Sequence, residues 1–352
     1  MISDSTTTLR RGMTKQILTI DHQAHWYPRT LLEMLAGREG YPTLERTEGG
    51  YTLLHPPAGR WRQPITSLFF DLDRHFEDMS ACGVDAMLAS PAMIVDVALF
   101  ELQEARDLAT MANEEYAATQ RAHPDRFLGL ATVPLQDPDV AVEVLDDAIV
   151  RLGLKGVCMH ANVGGSAICR PELEPVWDRI AELGVPVVLH PTRSVLAPAY
   201  DFMSVPSDLM ANWLLDTSAA ALSLIMSGTF DRLPSLVVLH PHIGGTLPYV
   251  VGRLDSTATA LKSHLQAAGK GDAWKTAELP SWYLRNRFWT DSSSTTLPAL
   301  KMALDVYGVD RITLGSDVPY VSRERHLNFL REHLPAEQVE RILTNRLPGL
   351  VE

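Results

Sequence analysis

Gly153-Leu154-Lys155-Gly156-Val157-Cys158-Met159-His160 and Gly184-Val185-Pro186-Val187-Val188-Leu189-His190-Pro191 decide the architecture of this chain. Each block is a glycine, a short apolar run and a histidine. A run of that length bounded by turn residues reads as a strand buried on both faces. Between the blocks, Leu173–Leu183 repeats its apolar residues at helical spacing. Strand, helix and strand in that order form a parallel βαβ unit, because parallel neighbours need a long crossover.

The same rhythm extends in both directions. Strand-like runs fall at Gln16–Ile20, Ala86–Ala89, Phe127–Val133, Gly156–Met159, Val185–Leu189, Leu236–Leu239, Phe288–Thr290 and Ile312–Gly315. Helical patterns fall at Arg74–Cys82, Leu102–Ala122, Val140–Leu152, Leu173–Leu183, Asp208–Ser227, Leu247–Ala268 and Leu297–Tyr307, with Arg323–Leu334 and Ala336–Arg346 after the last strand. Eight such units predict a (β/α)8 TIM-type barrel, one α/β domain over residues 1–352. No G-x-G-x-x-G follows the first run, so a dinucleotide-binding start is not supported. Residues 38–64 break the rhythm with Gly, Pro, Trp61 and charges. They are expected to form an insertion after strand one, either a lid over the barrel mouth or a plain surface excursion.

Composition narrows the function classes. The 352 residues are 46% hydrophobic and 21% charged, an ordinary globular balance. A formal net charge of −12 argues against a nucleic-acid or anionic-membrane partner. No apolar run reaches the roughly 18 residues a membrane span needs. Cys82, Cys158 and Cys169 are too scattered for a disulfide framework, and Met1–Lys15 is Ser/Thr-rich without an apolar core. A cytoplasmic location is the expectation.

The histidines carry the chemistry. His22 and His25 follow strand one, His160 strand four, His190 strand five, and His240 and His242 strand six; Asp317 follows strand eight. In a barrel all strand C-termini meet at one rim, and that rim holds the site. Imidazole and carboxylate together suit Zn²⁺, Fe²⁺ or Mn²⁺. His240 and His242 are two apart, which in extended backbone turns both to one side. His55, His75, His123, His264, His326 and His333 lie in or beside helices or in the insertion and read as surface imidazoles.

The motifs Asp21-His22-Gln23-Ala24-His25-Trp26-Tyr27-Pro28, Met159-His160, Leu189-His190-Pro191, His242-Ile243-Gly244-Gly245 and Gly315-Ser316-Asp317-Val318-Pro319, in that order, resemble the amidohydrolase superfamily. The resemblance is to the branch of aminocarboxymuconate semialdehyde decarboxylase and related aromatic-acid decarboxylases, and it spans about Ile17 to Leu347. It implies two strand-one ligands as H-x-H, a strand-five His, a catalytic strand-six His and a strand-eight Asp. By position, His25, His190, His242 and Asp317 take these places, and the first ligand falls on Gln23, a weaker neutral donor.

Two site readings follow. Gln23 replaces one ligand of a mononuclear centre, zinc first, or His22, His160, His240 and the rest hold two ions, iron or manganese. Arg60, Arg62 and Arg193 are the arginines placed to neutralise a substrate carboxylate, and Asp291 is a neighbour that could orient a ligand histidine. The leading function is a metal-dependent non-oxidative decarboxylase or related hydrolase acting on a small carboxylated molecule. The alternatives are a dinuclear monooxygenase served by a separate reductase, and a weakly active metal-binding partner subunit. The resemblance also implies a homodimer.

Overall fold

The structure, a computed structural model, describes residues 19–55, 61–92, 94–194, 196, 211–293 and 296–350. Met1–Lys15, the start of the first expected strand, Arg60 and the start of the Asp208–Ser227 helix lie outside the described residues.

Eight strands, Ile20–His25, Ala86–Ser90, Phe127–Thr132, Gly156–His160, Val187–His190, Val238–His240, Phe288–Asp291 and Ile312–Thr313, run in chain order through one sheet. Each described neighbour pairing among them is parallel. The seam between the last and first strands is bridged by backbone bonds of 2.8 Å, from His22 N to Leu314 O, Asp317 N to Gln23 O and His25 N to Val318 O. This is the (β/α)8 barrel, and its helices lie where their periodicity puts them, as at Leu102–Ala122 and Leu297–Tyr307. Helices Leu72–Cys82 and Glu174–Leu183 each stop at a left-handed glycine, Gly83 and Gly184, whose missing Cβ makes that turn cheap. Among the described residues no helix is long and apolar enough to cross a membrane.

Two apolar layers set side-chain direction. Ile20, Leu88, Cys158, Val188 and Leu239 pack with Leu347 and Leu350 of the C-terminal segment in a small cluster inside the barrel. The larger cluster lies between sheet and helices. Because side chains alternate along a strand, each inward residue fixes where its neighbours point.

Several expectations change. The first strand begins at Ile20 rather than ending there, so His22 and His25 lie within it. All six of its residues are buried, although four are polar, because it is covered on both faces. Its register shifts between Asp21 and Ala24, a bulge of the kind that redirects side chains beside sites. The insertion is ordered: Thr43–Thr47, Gly50–His55 and Trp61–Ile65 form a three-stranded antiparallel sheet. His75 and His326 are buried, not surface imidazoles. Burial pushes His75 down to about 4, and the cation of Arg323 adds to it.

His240 and His242 do not share a face. The strand ends at His240, and Pro241 opens a tight turn in which His242 (φ 55°) and Ile243 (φ 54°) are left-handed. Leu239 points into the barrel, so His240 points out, against Phe288 at 6.4 Å between ring centroids.

Candidate metal and active site

The fifth strand places Val188 in the barrel interior, so His190 points the same way one step nearer the rim. The fourth strand does this with Cys158 and His160, and the two histidines stand in register. The bulge turns His25 to this rim, with its ring centroid 5.1 Å from that of His190; those of His160 and His190 are 6.0 Å apart. Asp317, left-handed at φ 64°, reaches the same place from the eighth strand. Its carboxylate oxygens stand 3.4 Å from His25 Nε2 and 3.9 Å from His242 Nε2. The structure thus brings His25, His160, His190, His242 and Asp317 together.

The hydrogen bonds of these rings fix their tautomers. His25 Nδ1 lies 3.2 Å from both the carbonyl and the hydroxyl of Ser90, a hydroxyl that can accept alongside the carbonyl, and His190 Nδ1 lies 2.7 Å from the Pro191 carbonyl. A carbonyl only accepts, so each ring donates from Nδ1, and in the neutral ring Nε2 then carries the lone pair. Burial, together with the neighbouring His25 and His160, holds His190 well below its ordinary pKa, hence neutral. His25 Nε2 is buried without a hydrogen-bond partner and confronts a carboxylate, lone pair against lone pair. A cation satisfies that arrangement. Among the described residues no three His, Cys, Asp or Glu side chains are grouped as around an ion; His25 and Asp317 fit one by donor type and direction, and His190 by donor type.

The other expected ligands are placed differently. Gln23 is buried with its Nε2 unpartnered, and its Cβ lies close to Gly315 and Asp291. A Cβ on Gly315 would stand 2.6 Å from Asp291 Cβ and 3.0 Å from Gln23 Cβ, so only glycine lets the two side chains close over it. His22 donates from Nδ1 to the Leu314 carbonyl, 3.3 Å away, near Arg346 of the C-terminal segment. Burial pushes it down to about 4. His240 is pushed down to about 3 by burial and then by His242. No described ring contact or hydrogen bond joins His22 or His240 to His25, His190 or Asp317.

Asp291 acts on His242 through the backbone. Its Oδ1 accepts from His242 N at 3.0 Å, Ser293 N at 2.9 Å and Ser293 Oγ at 2.7 Å, which holds the left-handed turn. Burial raises its pKa, against the pull of His242 and Ser293, and Asp317 raises it further.

Arg62 is exposed and paired with Glu45 on the insertion sheet. Arg193 is half-buried in the loop after His190, and its carbonyl accepts from Asn162 Nδ2 at 3.2 Å.

Three residues here, Tyr320, Gln63 and Asp96, carried no sequence signal. Tyr27 and Tyr320 share a hydroxyl hydrogen bond of 2.8 Å, and Tyr320 meets His25 edge to face at 5.5 Å. Gln63, on the insertion, lies near enough to act on the Tyr320 hydroxyl, so the insertion reaches the rim beside His25. Asp96, buried after the second strand, faces His160 Nδ1 at 3.4 Å and accepts from Thr192 Oγ1 and, at 3.1 Å, from Ala98 N.

Comparison with known proteins supplies the class. The family described as Amidohydrolase matches residues 20–345. The 2-amino-3-carboxymuconate-6-semialdehyde decarboxylase of Dictyostelium discoideum is 28% identical over 81% of this chain and 74% of its own. A decarboxylase of Emericella nidulans is 30% identical over 68% of this chain and 75% of its own. A crystal structure of the dihydroxybenzoic acid decarboxylase of Polaromonas sp. JS666, with bound manganese and the inhibitor 2-nitroresorcinol, is 22% identical and covers 94% of this chain and 95% of its own, with a TM-score of 0.74. The chain belongs to the amidohydrolase family, in the branch of its decarboxylases, and is an enzyme.

Proposed function

We propose that the protein is a metal-dependent, non-oxidative decarboxylase of an aromatic or unsaturated carboxylic acid. The observation that supports it most is the buried, unpartnered Nε2 of His25 facing the Asp317 carboxylate at 3.4 Å, with the His190 ring edge to face with His25 at the same rim. A divalent ion bound by these three residues would supply positive charge to neutralise the substrate carboxylate or an adjacent oxygen. The manganese of the Polaromonas relative favours manganese over the zinc expected from donor type alone.

The residues divide the remaining work. Arg193, in the loop after His190, would meet the carboxylate as a bidentate donor. Tyr320 and Gln63 close the side of the rim next to His25 and limit water. In the reaction the bond from ring carbon to carboxyl carbon breaks, CO₂ leaves, and the electron pair stays on the ring carbon. A proton must then reach that carbon. His242 Nε2 delivers it, with Asp317 Oδ2, 3.9 Å away, steadying the charge on the imidazole. Asp291 keeps His242 in place by its backbone.

The relatives named above are decarboxylases, which favours this chemistry over the oxygenase. The test is to incubate the manganese-loaded protein, without O₂, with a panel of ring-hydroxylated benzoates. One CO₂ per arene formed is expected for at least one compound. Turnover that appears only with O₂ and a reductant would overturn the proposal. The homodimer remains part of it, and sedimentation equilibrium checks that.

A further inference from the structure

We propose that His160, held by Asp96, accepts a hydrogen bond from a hydroxyl or amino group on the substrate, and so selects acids that carry such a donor. The inference rests on the aromatic-acid reading above and adds the determinant of substrate choice.

His160 is the last residue of the fourth strand, and it points to the same side as the interior Cys158. Its Nδ1 faces Asp96 Oδ1 at 3.4 Å. Asp96 also takes the hydroxyl of Thr192 and the N–H of Ala98, so two donors hold this buried carboxylate in place beside the His160 ring. A carboxylate facing Nδ1 favours, in the neutral ring, the tautomer with its proton there. Nε2 therefore presents a lone pair, and it is buried with no partner, in a residue only 5% exposed. An unmet acceptor in such a place is costly, and a donor from a bound molecule relieves that cost. The ring lies edge to face with His190, whose Nε2 is a proposed metal donor, so a molecule held there lies within reach of His160. A site built to receive a hydrogen bond discriminates strongly against analogues that cannot supply it.

The test compares matched benzoates at the 2-, 3- and 4-positions on the metal-loaded protein. Hydroxyl and amino substituents donate, whereas fluorine is of similar size and cannot. Dissociation constants are measured, with kcat/KM used where a compound reacts. At one ring position the hydroxy and amino acids are expected to bind at least about tenfold tighter than the fluoro acid. His160→Phe should reduce that ratio to within about twofold. His160→Asn, which keeps a donor toward Asp96 and loses the acceptor at the Nε2 position, should do the same in a folded protein. Metal content should stay unchanged in both. A ratio that survives both variants, or no preference at any position in the wild type, overturns the inference. Loss of about one metal equivalent in either variant also overturns it, by making His160 a ligand. If no benzoate binds the wild type, the aromatic-acid reading fails and this inference falls with it.

Discussion

Asp21 and Arg323 form an ion pair in which neither side chain is exposed, with Arg323 Nε 2.9 Å from Asp21 Oδ2. The same carboxylate accepts from Ser316 N at 2.9 Å, from Ser316 Oγ and from Gln23 N at 3.3 Å. Arg323 also reaches Asp78 on helix Leu72–Cys82. One buried charge therefore ties the first strand, the turn before Asp317 and two outer helices together. It sits at the barrel seam and sets where Asp317 stands relative to His25.

Asp21→Asn should act on both stability and the site. Breaking one side of a buried pair leaves Arg323 short of its countercharge, at a cost of about 3–5 kcal/mol. The shifted turn should weaken divalent-ion binding by roughly 10- to 100-fold, as removal of supporting groups around metal sites does. Urea denaturation and equilibrium dialysis measure the two. A folded variant with unchanged ion affinity would make Asp21 a purely structural residue.

The geometry favours one ion per chain. His25→Ala or His190→Ala should abolish most metal binding, whereas His22→Ala and His240→Ala should leave metal content unchanged. Elemental analysis of protein loaded under identical conditions decides this. Loss of one of two equivalents in His22→Ala or His240→Ala would restore the dinuclear arrangement.

Acid should destabilise the fold through its buried neutral histidines. His22 and His75, pushed down to about 4, and His240, pushed down to about 3, stay neutral when folded but protonate near 6.5 when unfolded. Their contribution is complete above about pH 6.5 and is lost as pH falls from there toward about 4. Each can remove up to about 1.4 kcal/mol per pH unit in that window. Urea midpoints should therefore drop steeply from pH 6.5 to 5. His240→Phe should make the drop shallower, and an unchanged slope in that variant would contradict the assignment.

Gly315→Ala should cost about 1–3 kcal/mol, as overpacking does, because its Cβ would meet Asp291 Cβ at 2.6 Å. It should also lower activity by moving Asp291, which holds the His242 backbone. Thermal denaturation and kcat check it. A variant with wild-type melting temperature and kcat would show that this contact yields freely.

The barrel was legible because its strands are buried on both faces and so appear as short apolar runs between turn residues, as at Gly156–His160. The first strand was misplaced because Asp21, His22, Gln23 and His25 interrupt any apolar run, yet all are buried. Their partners, Arg323, Ser316, Ser90 and Asp317, come from distant parts of the chain. The insertion sheet was missed because short strands such as Thr43–Thr47 bury few residues and show no alternation. The strand-end histidines marked the rim, but their directions depend on backbone: a left-handed turn separates His242 from His240. Asp96, Gln63 and Tyr320 gave no signal because nothing in local sequence tells which loop residues face the barrel mouth.

The most direct test of the central claim is anaerobic turnover of a hydroxybenzoate substrate by the manganese-loaded protein in D₂O, with CO₂ and the isotopic composition of the product measured together. The account predicts one CO₂ per product and one deuterium at the carbon that lost the carboxylate, both strongly reduced in His242→Ala. An oxygenated product with O₂ consumed, or a hydrolysed product without CO₂, would contradict it.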